Sequence, residues 1–565
     1  MANMLCDAKA ILSKVNKRIA GYACLYALII TAFLVVGETS ESTVGLSFRE
    51  AFLFSPIQFI AISFLFYGLS IFISRNQRVY KDEKVDAREW LGVLAFFAVI
   101  WGINWGVNFP GYWTNDSLVS LAQSVGEENL SAQHPVAFTL LMKVFVMMGN
   151  ALGGGLQVGM GLFTLFTMLF FAACCSYVCA WVKARTGSIL FFVATVAFFA
   201  LNILLAQYSI TAWKDIYFSP FVVIFALAIF DLLLEGKKKE LSNRSLISFS
   251  ILILMLLLFR SNGVFVAIPS IIVLALVLRR HAKKILISSI VPLLVYLLIS
   301  GPIFSLIGVE EKKAAETYGV PLQQIAKVIV DDGKLSEENR EYLEKLFSFD
   351  EIKEAYDPHT VDPVKWSKNF NNDFLEENQI EFLLVWLSAL PENLDSYIAA
   401  YRDLTLGYWY PGVENWLVRY NGFQYKESMN EWNSADTLNL DSAAVSPDGT
   451  TWVSNNLSYS IALNSLIEQG RHLPILNSLY SIGAMVWLLV ATILVKALNR
   501  HRRDLVSIVP LLLLWLSMMI AAPTFCEFRY MLALHLFLPV LAVLLFYGPN
   551  AKSGEISKEQ VVINV

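Results

Sequence analysis

Charged residues are scarce in this chain, and their scarcity argues against an ordinary soluble domain. Asp, Glu, Lys and Arg together make up 16% of the 565 residues, whereas hydrophobic residues make up 56%. A soluble globular protein carries about 25% charged residues. The composition is therefore typical of a polytopic membrane protein.

Cysteine and histidine are also few, with six of each. Three of the cysteines fall in one hydrophobic segment, so they predict no disulfide framework, and the histidines are scattered without the spacing of metal ligands. The sequence has no phosphate-binding glycine loop, no zinc-protease motif and no nucleophile elbow. Because the basic clusters are short, they also give little support to nucleic-acid binding.

Long hydrophobic runs are what the chain has in abundance. Runs of about 20 apolar residues indicate membrane-spanning helices, and the sequence predicts an all-α polytopic protein with about twelve of them. The first run has no small-residue cleavage site, so we expect it to remain as a helix. The predicted spans are 20–37, 54–74, 90–107, 157–182, 188–207, 218–234, 245–259, 263–278, 285–307, 475–497, 505–522 and 530–547.

The basic residues predict the orientation of these helices. Short cytoplasmic loops retain positive charge, and with a cytoplasmic N-terminus every basic cluster falls on the cytoplasmic side. We therefore expect a multi-pass protein of the plasma membrane with both termini in the cytoplasm. The clusters include Arg75–Arg88, Lys183 and Arg185, Lys237–Arg244, Arg279–Lys284 and Lys496–Arg503. The short apolar segment 135–149 would invert this pattern if it crossed, so we expect it to lie at the outer surface.

Residues 309–470, here called the outer segment, are too polar for a membrane. They hold 28 acidic and 12 basic residues, a formal net charge of −16, and are long enough for a separate domain. Helical patterns follow Ser336 and cover 378–405, and residues 406–460 are loop-like. The predicted organisation is nine helices in 1–308, with a large outer loop at 108–156, then the extracytoplasmic outer segment, then three helices and a cytoplasmic tail in 471–565.

Ionisable residues from several regions are predicted to meet at the outer ends of the helices, and a charge at that depth is costly unless it is used. Each also has an ordinary explanation: Asp116 suits a helix N-cap, His134 precedes a proline in a turn, Lys214 and Asp215 could pair at the interface, and the arginines could anchor helix ends. The candidates are Asp116, His134, Lys214, Asp215, Arg260, Asn262, Arg529 and Tyr530. The aromatic residues Trp113, Trp409 and Tyr410 could lie at the membrane interface or stack on a sugar ring.

Several short motifs stand in a fixed order along the chain: Pro110-Gly111 through Asp116-Ser117, His134-Pro135, Thr139-Leu140-Leu141, Trp213-Lys214-Asp215, Arg260-Ser261-Asn262-Gly263, Gly407-Tyr408-Trp409-Tyr410-Pro411 and Phe528-Arg529-Tyr530. Their order resembles the GT-C superfamily of membrane glycosyltransferases, and within it a bacterial branch. The resemblance covers most of the chain, from about residue 90 to residue 547. The resemblance implies a polyprenyl-phosphate-linked sugar donor in the bilayer and a cell-surface glycan acceptor on the extracytoplasmic face.

Roles for the candidates follow from that resemblance. Asp116 would be the catalytic base, with His134 assisting it. Arg260, Arg529 and Lys214 would bind the lipid phosphate, supported by Asp215, Asn262 and Tyr530. Trp113, Trp409 and Tyr410 would contact sugar.

A divalent cation, Mg²⁺ or Mn²⁺, is compatible with the superfamily, but Asp116 has no adjacent second acid. Such a site usually draws on more carboxylate oxygen, so we expect no obligatory metal. Two other functions stay open on the sequence alone. One is an oligosaccharide polymerase, and the other is a transporter or flippase of a lipid-linked sugar, although the latter would place ionisable groups nearer the midplane.

Overall fold

The structure is a computed structural model that describes residues 16–237, 240–417 and 457–549. The two ends of the chain, predicted to be cytoplasmic, and most of the loop predicted at 406–460 lie outside these ranges. Helices of the first part are α1 Lys17–Glu38, α2 Phe48–Arg75, α3 Ala87–Val107, α4 Asn115–Val125, α5 Val136–Ala151, α6 Gly155–Thr186, α7 Ile189–Ala200, α8 Ile203–Ser209, α9 Asp215–Glu235, α10 Asn243–Phe259, α11 Gly263–Val277, α12 Ala282–Leu298 and α13 Phe304–Leu306.

The second part of the described chain, from residue 307 onward, is also mainly helical. Its helices are α14 Gly319–Val330, α15 Glu337–Leu346, α16 Phe349–Ala355, α17 Asp362–Lys365, α18 Asn372–Glu377, α19 Gln379–Ala389, α20 Leu394–Thr405, α21 Leu457–Arg471, α22 Pro474–Tyr480, α23 Ile482–Leu498, α24 Val509–Ala521, α25 Leu532–Leu536 and α26 Leu538–Phe546. A 3₁₀ turn, Arg502–Ile508, leads into α24, and another, Phe528–Met531, leads into α25. The two short strands, β1 Arg78–Val79 and β2 Tyr547–Gly548, pair in parallel.

Eight helical segments of the described ranges are long and apolar enough to cross a membrane. A further pair, α7 and α8, is long and apolar enough to cross when the two helices are taken as one segment, but the segment is bent by 64°. Four other apolar helices, α5, α10, α11 and α23, have 10–17 residues. A helix lies at each predicted span, yet length and composition single out eight or nine of them. The all-α, multi-pass class is confirmed in this form.

Large apolar side chains cover the outside of these helices. On α2, Phe64 and Leu65 are 74% and 73% exposed. A water-facing surface of that kind would be unfavourable, whereas lipid is as apolar as the side chains themselves. The outward face of the bundle is therefore suited to a bilayer.

Helix α5 covers the segment whose placement the sequence left open. It packs along the first half of α6 as a hairpin, and Gly149 and Gly159 lie where the two backbones approach too closely for a side chain. With 16 residues, α5 is about 24 Å long. This is short for a span, and its placement at the outer surface stays a prediction.

The outer segment has a hydrophobic cluster of its own, formed between residues 314 and 397. Leu322, Leu343 and Phe382 are among its fully buried members. The predicted helix after Ser336 is confirmed as α15, whose first turn is capped by a hydrogen bond from the Asn339 amide to the Ser336 hydroxyl at 3.2 Å. The helical pattern at 378–405 is observed as α19 and α20.

Candidate functional site

The loop between α3 and α4 is held in place by contacts that Gly111 and Tyr112 make with Ile210. The Phe109–Pro110 peptide bond is cis, and Gly111 has a φ of 96°, a conformation that favours glycine. A Cβ at Gly111 would also lie 2.7 Å from the Ile210 carbonyl oxygen. The Tyr112 amide donates to that same carbonyl at 3.0 Å. This pairing brings the segment ahead of Asp116 beside the segment ahead of Lys214.

Asp116 lies in the first turn of α4 and does not cap it. Thr114 is the N-cap, with its side chain accepting from the Ser117 amide. The indole N–H of Trp213 donates to the Thr114 hydroxyl at 2.7 Å. The alternative explanation of Asp116 as an N-cap is therefore wrong, and its carboxylate is available for other contacts.

The Asp116 carboxylate lies against two cations delivered by different helices. Its Oδ2 atom is 3.0 Å from Arg529 Nη1 and 3.5 Å from Lys214 Nζ. Lys214 Nζ also lies 2.9 Å from His134 Nδ1, to which it donates. Three distant parts of the chain thus meet at one carboxylate oxygen.

A second carboxylate, Asp215, lies one residue beyond Lys214 and is fully buried. It forms an ion pair with Arg260, and its Oδ2 is 4.0 Å from Arg529 Nε. Glu527 Oε1 is 3.5 Å from the same Arg529 nitrogen. We call Asp116, His134, Lys214, Asp215, Arg260 and Arg529 the aspartate cluster.

Aromatic rings hold the two guanidinium groups from their faces. The Arg529 guanidinium carbon is 4.8 Å from the centre of the Trp213 ring and 5.1 Å from that of Tyr530. The Arg260 carbon is 4.6 Å from the Tyr530 ring and 5.7 Å from the Phe218 ring. Such contacts orient a guanidinium and leave its edge for planar recognition of an oxyanion.

The charges of the cluster are set by these neighbours. Burial alone would raise the pKa of Asp116, but Arg529 and Lys214 outweigh it and hold that pKa well below its usual value. Burial, together with the charge of Lys214, lowers the pKa of His134 to about 3. Burial also lowers the pKa of Lys214 to about 8, against the attraction of Asp116. Near neutral pH Asp116 is therefore ionised, Lys214 is charged and His134 is neutral.

Accessibility distinguishes the two aspartates. The Asp116 side chain is 36% exposed, whereas the Asp215 side chain is not exposed at all. A substrate could reach Asp116 and the side of Arg529 that faces it. Asp215 can act only by fixing the two arginines.

Three predicted site residues lie in packed cores. The indole N–H of Trp113 donates to the Pro110 carbonyl at 3.4 Å, and its ring packs near Phe163. Trp409 and Tyr410 are 4% and 7% exposed and belong to a hydrophobic cluster with Phe525. These three rings are largely covered by protein, and their contact with sugar stays a prediction.

Asn262 also lies apart from the ion pairs. It stands in the turn between α10 and α11, where its amide contacts the Met518 sulfur at 3.9 Å. Its backbone carbonyl accepts from the Val266 amide at 3.2 Å in the first turn of α11. Asn262 therefore helps to form the turn that carries Arg260 and touches no charge of the cluster itself.

Sequence reasoning left four residues near the cluster without a role. Trp213 belongs to a motif given above, Glu527 directly precedes one, and Tyr408 interacts with Tyr530 and Glu527. Lys312 interacts electrostatically with Lys214 and Arg260. A signal existed for the first three, since each lies within two residues of a named candidate. Lys312 had none, because it is one of many charged residues in the outer segment.

The donor set does not suit a divalent cation. Asp116 and Asp215 are the carboxylates that would have to provide ligands, and each already faces arginine or lysine. A nearby Mg²⁺ would be repelled by the same cations. Within residues 16–237, 240–417 and 457–549 no group of three or more His, Cys, Asp or Glu side chains could hold a metal ion. The cluster places two cations beside a partly exposed carboxylate.

Comparison with known proteins assigns the chain to a family. Residues 126–559 match a family described as a family of unknown function, DUF6020, and the chain belongs to it. That match begins ten residues after Asp116 and includes the rest of the aspartate cluster. No curated protein and no solved structure matches the chain.

Proposed function

We propose that the protein is a membrane glycosyltransferase that moves a sugar from a polyprenyl-phosphate-type lipid to a cell-surface glycan or polymer. The proposal includes twelve spans in the plasma membrane, cytoplasmic termini, an extracytoplasmic outer segment and a reaction on the extracytoplasmic face. The observation that carries it is the Asp116 carboxylate, 36% exposed, held 3.0 Å from Arg529 and 3.5 Å from Lys214.

The arrangement supports an anionic donor. Arg529 presents its guanidinium between two aromatic rings, and such a planar fork suits a phosphate. Asp116 now occupies the place that a phosphate oxygen would take. A donor phosphate would compete with Asp116 for Arg529 and Lys214, so binding should release the carboxylate toward the acceptor.

This exchange reconciles the low pKa of Asp116 with a role as the catalytic base. A carboxylate held by two cations is a weak base. Once a phosphate shares those cations, the pKa of Asp116 rises toward its ordinary value. Asp116 then can take the proton of the acceptor hydroxyl while that oxygen attacks the anomeric carbon with inversion.

The Lys214–His134 contact keeps the lysine in position. His134 is neutral and its Nδ1 accepts from the ammonium, so the lysine is directed toward Asp116 without losing its charge. In this proposal His134 positions Lys214 and does not itself transfer a proton.

The test is a turnover assay on purified protein in nanodiscs, supplied with a panel of polyprenyl-phosphate sugars and acceptor glycans. Asp116→Asn should reduce release of free polyprenyl phosphate by about two or more orders of magnitude, as loss of a general base predicts. Glu127→Gln changes an exposed acid just beyond the same helix and should retain wild-type turnover.

Equal turnover by Asp116→Asn and wild type would remove Asp116 as the base. No turnover by folded wild type with any donor would favour a polymerase or a transporter of a lipid-linked sugar. Turnover that persists in EDTA would agree with the donor set, whereas loss in EDTA would contradict it.

A further inference from the structure

The outer segment begins with a stretch that is tied directly to the loop carrying His134. The Glu310 amide donates to the Leu130 carbonyl at 2.8 Å, and the Ala132 amide donates to the Glu310 carbonyl at 2.8 Å. The Asn129 side-chain amide adds a third bond, 2.9 Å from Glu310 Oε1. Main-chain pairing of this kind fixes where the following residues can lie. Lys312 is two residues further on.

Lys312 lies close enough to the aspartate cluster to interact with it. The charges of Lys214 and Arg260 contribute, after burial, to lowering the pKa of Lys312, and Glu316 opposes them. Glu316 is itself bonded by Lys365 Nζ at 3.0 Å. Lys312 is an exposed residue, so its long side chain can change direction. Its charge is therefore available to an anion at the cluster.

The charges around Asp116 show what a further cation would do. Lys214, Arg260 and Arg529 face Asp116, Asp215 and Glu527, and His134 is neutral, so the formal charges cancel. A donor with a single phosphate is a phosphodiester and brings one negative charge. Without a further cation, the site with the donor bound would have one net negative charge in a partly buried place, which is unfavourable.

We propose that Lys312 is the fourth cation of this site and that it binds the phosphate of a donor with one phosphate group. The inference rests on the proposed function. Lys312 comes from the outer segment, so the site is complete only when that segment is docked on the loop at Leu130–Ala132.

The charge also balances through the transfer step. The acceptor oxygen bonds to the anomeric carbon, the bond between that carbon and the donor phosphate oxygen breaks, and the hydroxyl proton moves to Asp116. The phosphate becomes a monoester with a second negative charge, and Asp116 becomes neutral. Before the step the site, with Lys312 included, carries one net positive charge and the phosphate carries one negative charge. After the step the site carries two net positive charges and the phosphate carries two negative charges.

The adjacent lysine provides a matched control. Lys313 is exposed as well, but its ammonium lies 5.2 Å from the centre of the Trp366 ring. Lys312→Gln and Lys313→Gln therefore make the same chemical change one residue apart. Binding of a short-chain polyprenyl phosphate to the full-length protein in nanodiscs would be measured by calorimetry, and sugar transfer would be measured on the same samples.

Lys312→Gln should bind the polyprenyl phosphate about five- to tenfold more weakly than wild type, the effect of one charge a few ångströms away in a partly aqueous site. Lys313→Gln should bind within twofold of wild type. The difference should shrink at high ionic strength, because an exposed lysine is screened by salt.

Equal affinity of Lys312→Gln and wild type, or equal losses in both variants, would overturn the inference without touching the proposed function. The expected affinities in a protein that transfers no sugar would uphold Lys312 as an anion ligand and overturn glycosyl transfer. A wild-type protein that binds no polyprenyl phosphate would overturn both.

Discussion

Helix α9 has an acidic residue near each end, and the surroundings of the two residues differ in kind. Asp215 and Asp231 are 16 residues apart, which is about 24 Å along a helix. At one end Asp215 belongs to the aspartate cluster. At the other end Asp231 accepts from Arg185 at 2.8 Å and from the Trp181 indole at 3.0 Å.

At the same end of α9, Phe230 packs on Tyr80 with ring centres 5.1 Å apart, and Tyr80 belongs to a second ionic group, which we call the lysine clamp. The ammonium of Lys496 is fully buried and donates to the Tyr80 hydroxyl at 2.8 Å, to Asp504 Oδ2 at 2.9 Å and to the Tyr547 carbonyl at 2.6 Å. A lysine has three N–H donors, and all three are used. The clamp joins Tyr80, which follows β1, and Tyr547, the first residue of β2, to the end of α23.

The comparison shows how a buried charge that stabilises the fold differs from a charge that could bind a ligand. In the lysine clamp every donor has its own acceptor, so no contact can be exchanged without loss. In the aspartate cluster two cations share one oxygen of an exposed carboxylate, so an incoming anion can replace that carboxylate. Buried charges with one-to-one partners are structural, whereas shared and partly exposed ones can exchange.

The largest expected effect comes from breaking the lysine clamp. Lys496→Met leaves the Asp504 carboxylate buried without its cation and should lower the free energy of unfolding by about 3–5 kcal/mol. Unfolding in detergent measures it. Lys284→Met is the control, because the Lys284–Glu240 pair is exposed at 3.5 Å and should contribute less than about 1 kcal/mol. Similar losses in the two variants would contradict the structural role of the clamp.

An intermediate effect is expected at Arg529. Arg529→Lys retains the charge but loses the planar fork, so kcat/KM for the lipid donor should fall about 10- to 100-fold. The free energy of unfolding should change much less than in Lys496→Met. Arg340→Lys, in the exposed Arg340–Glu344 pair, is the control for steady-state kinetics. Wild-type kcat/KM in Arg529→Lys would show that the guanidinium does not hold the phosphate.

The smallest effect is the pH dependence near Lys214. Its pKa is about 8, so the charged form is lost as pH rises through 8, and kcat/KM should fall about tenfold per unit above it. Lys214→Arg should remove this alkaline fall, because arginine stays charged. Between pH 5 and 7 the profile should have no inflection from His134, whose pKa is about 3. An inflection near pH 6.5 that disappears in His134→Gln would contradict the neutral histidine.

Much of the aspartate cluster could be predicted because its members stand at the ends of hydrophobic runs. The positions of Asp116, Lys214, Arg260 and Arg529 next to predicted helices were enough to place them on one face. Their pairing could not be predicted, since it depends on the bonds between Tyr112 and the chain at Ile210 and Ala212. No residue type in that stretch indicates such a bridge.

The aromatic residues were the least predictable. A 3₁₀ turn, Leu406–Tyr408, decides which ring of Tyr408-Trp409-Tyr410 faces the cluster. A shift of the turn by one residue would bring a different ring to the cluster. Trp409 instead packs on Phe33, with ring centres 5.4 Å apart. Sequence reasoning identified the motif but could not establish the direction of each side chain. The sequence predicts twelve spans, whereas eight or nine helical segments of the described residues are long and apolar enough to cross a membrane; α10, α11 and α23 are among the shorter apolar helices.

Main-chain bonds attach the outer segment to the rest of the chain at several separated places. Glu310 pairs with Leu130 and Ala132, the Phe525 amide donates to the His359 carbonyl at 2.9 Å, and the Gly407 amide donates to the Phe525 carbonyl at 2.9 Å. Because these bonds are made by the main chain, a change of side chain does not remove them. The position of the outer segment relative to the His134 loop and to the chain that leads to Arg529 is therefore set by the backbone, and we expect it to be retained in each of the variants above.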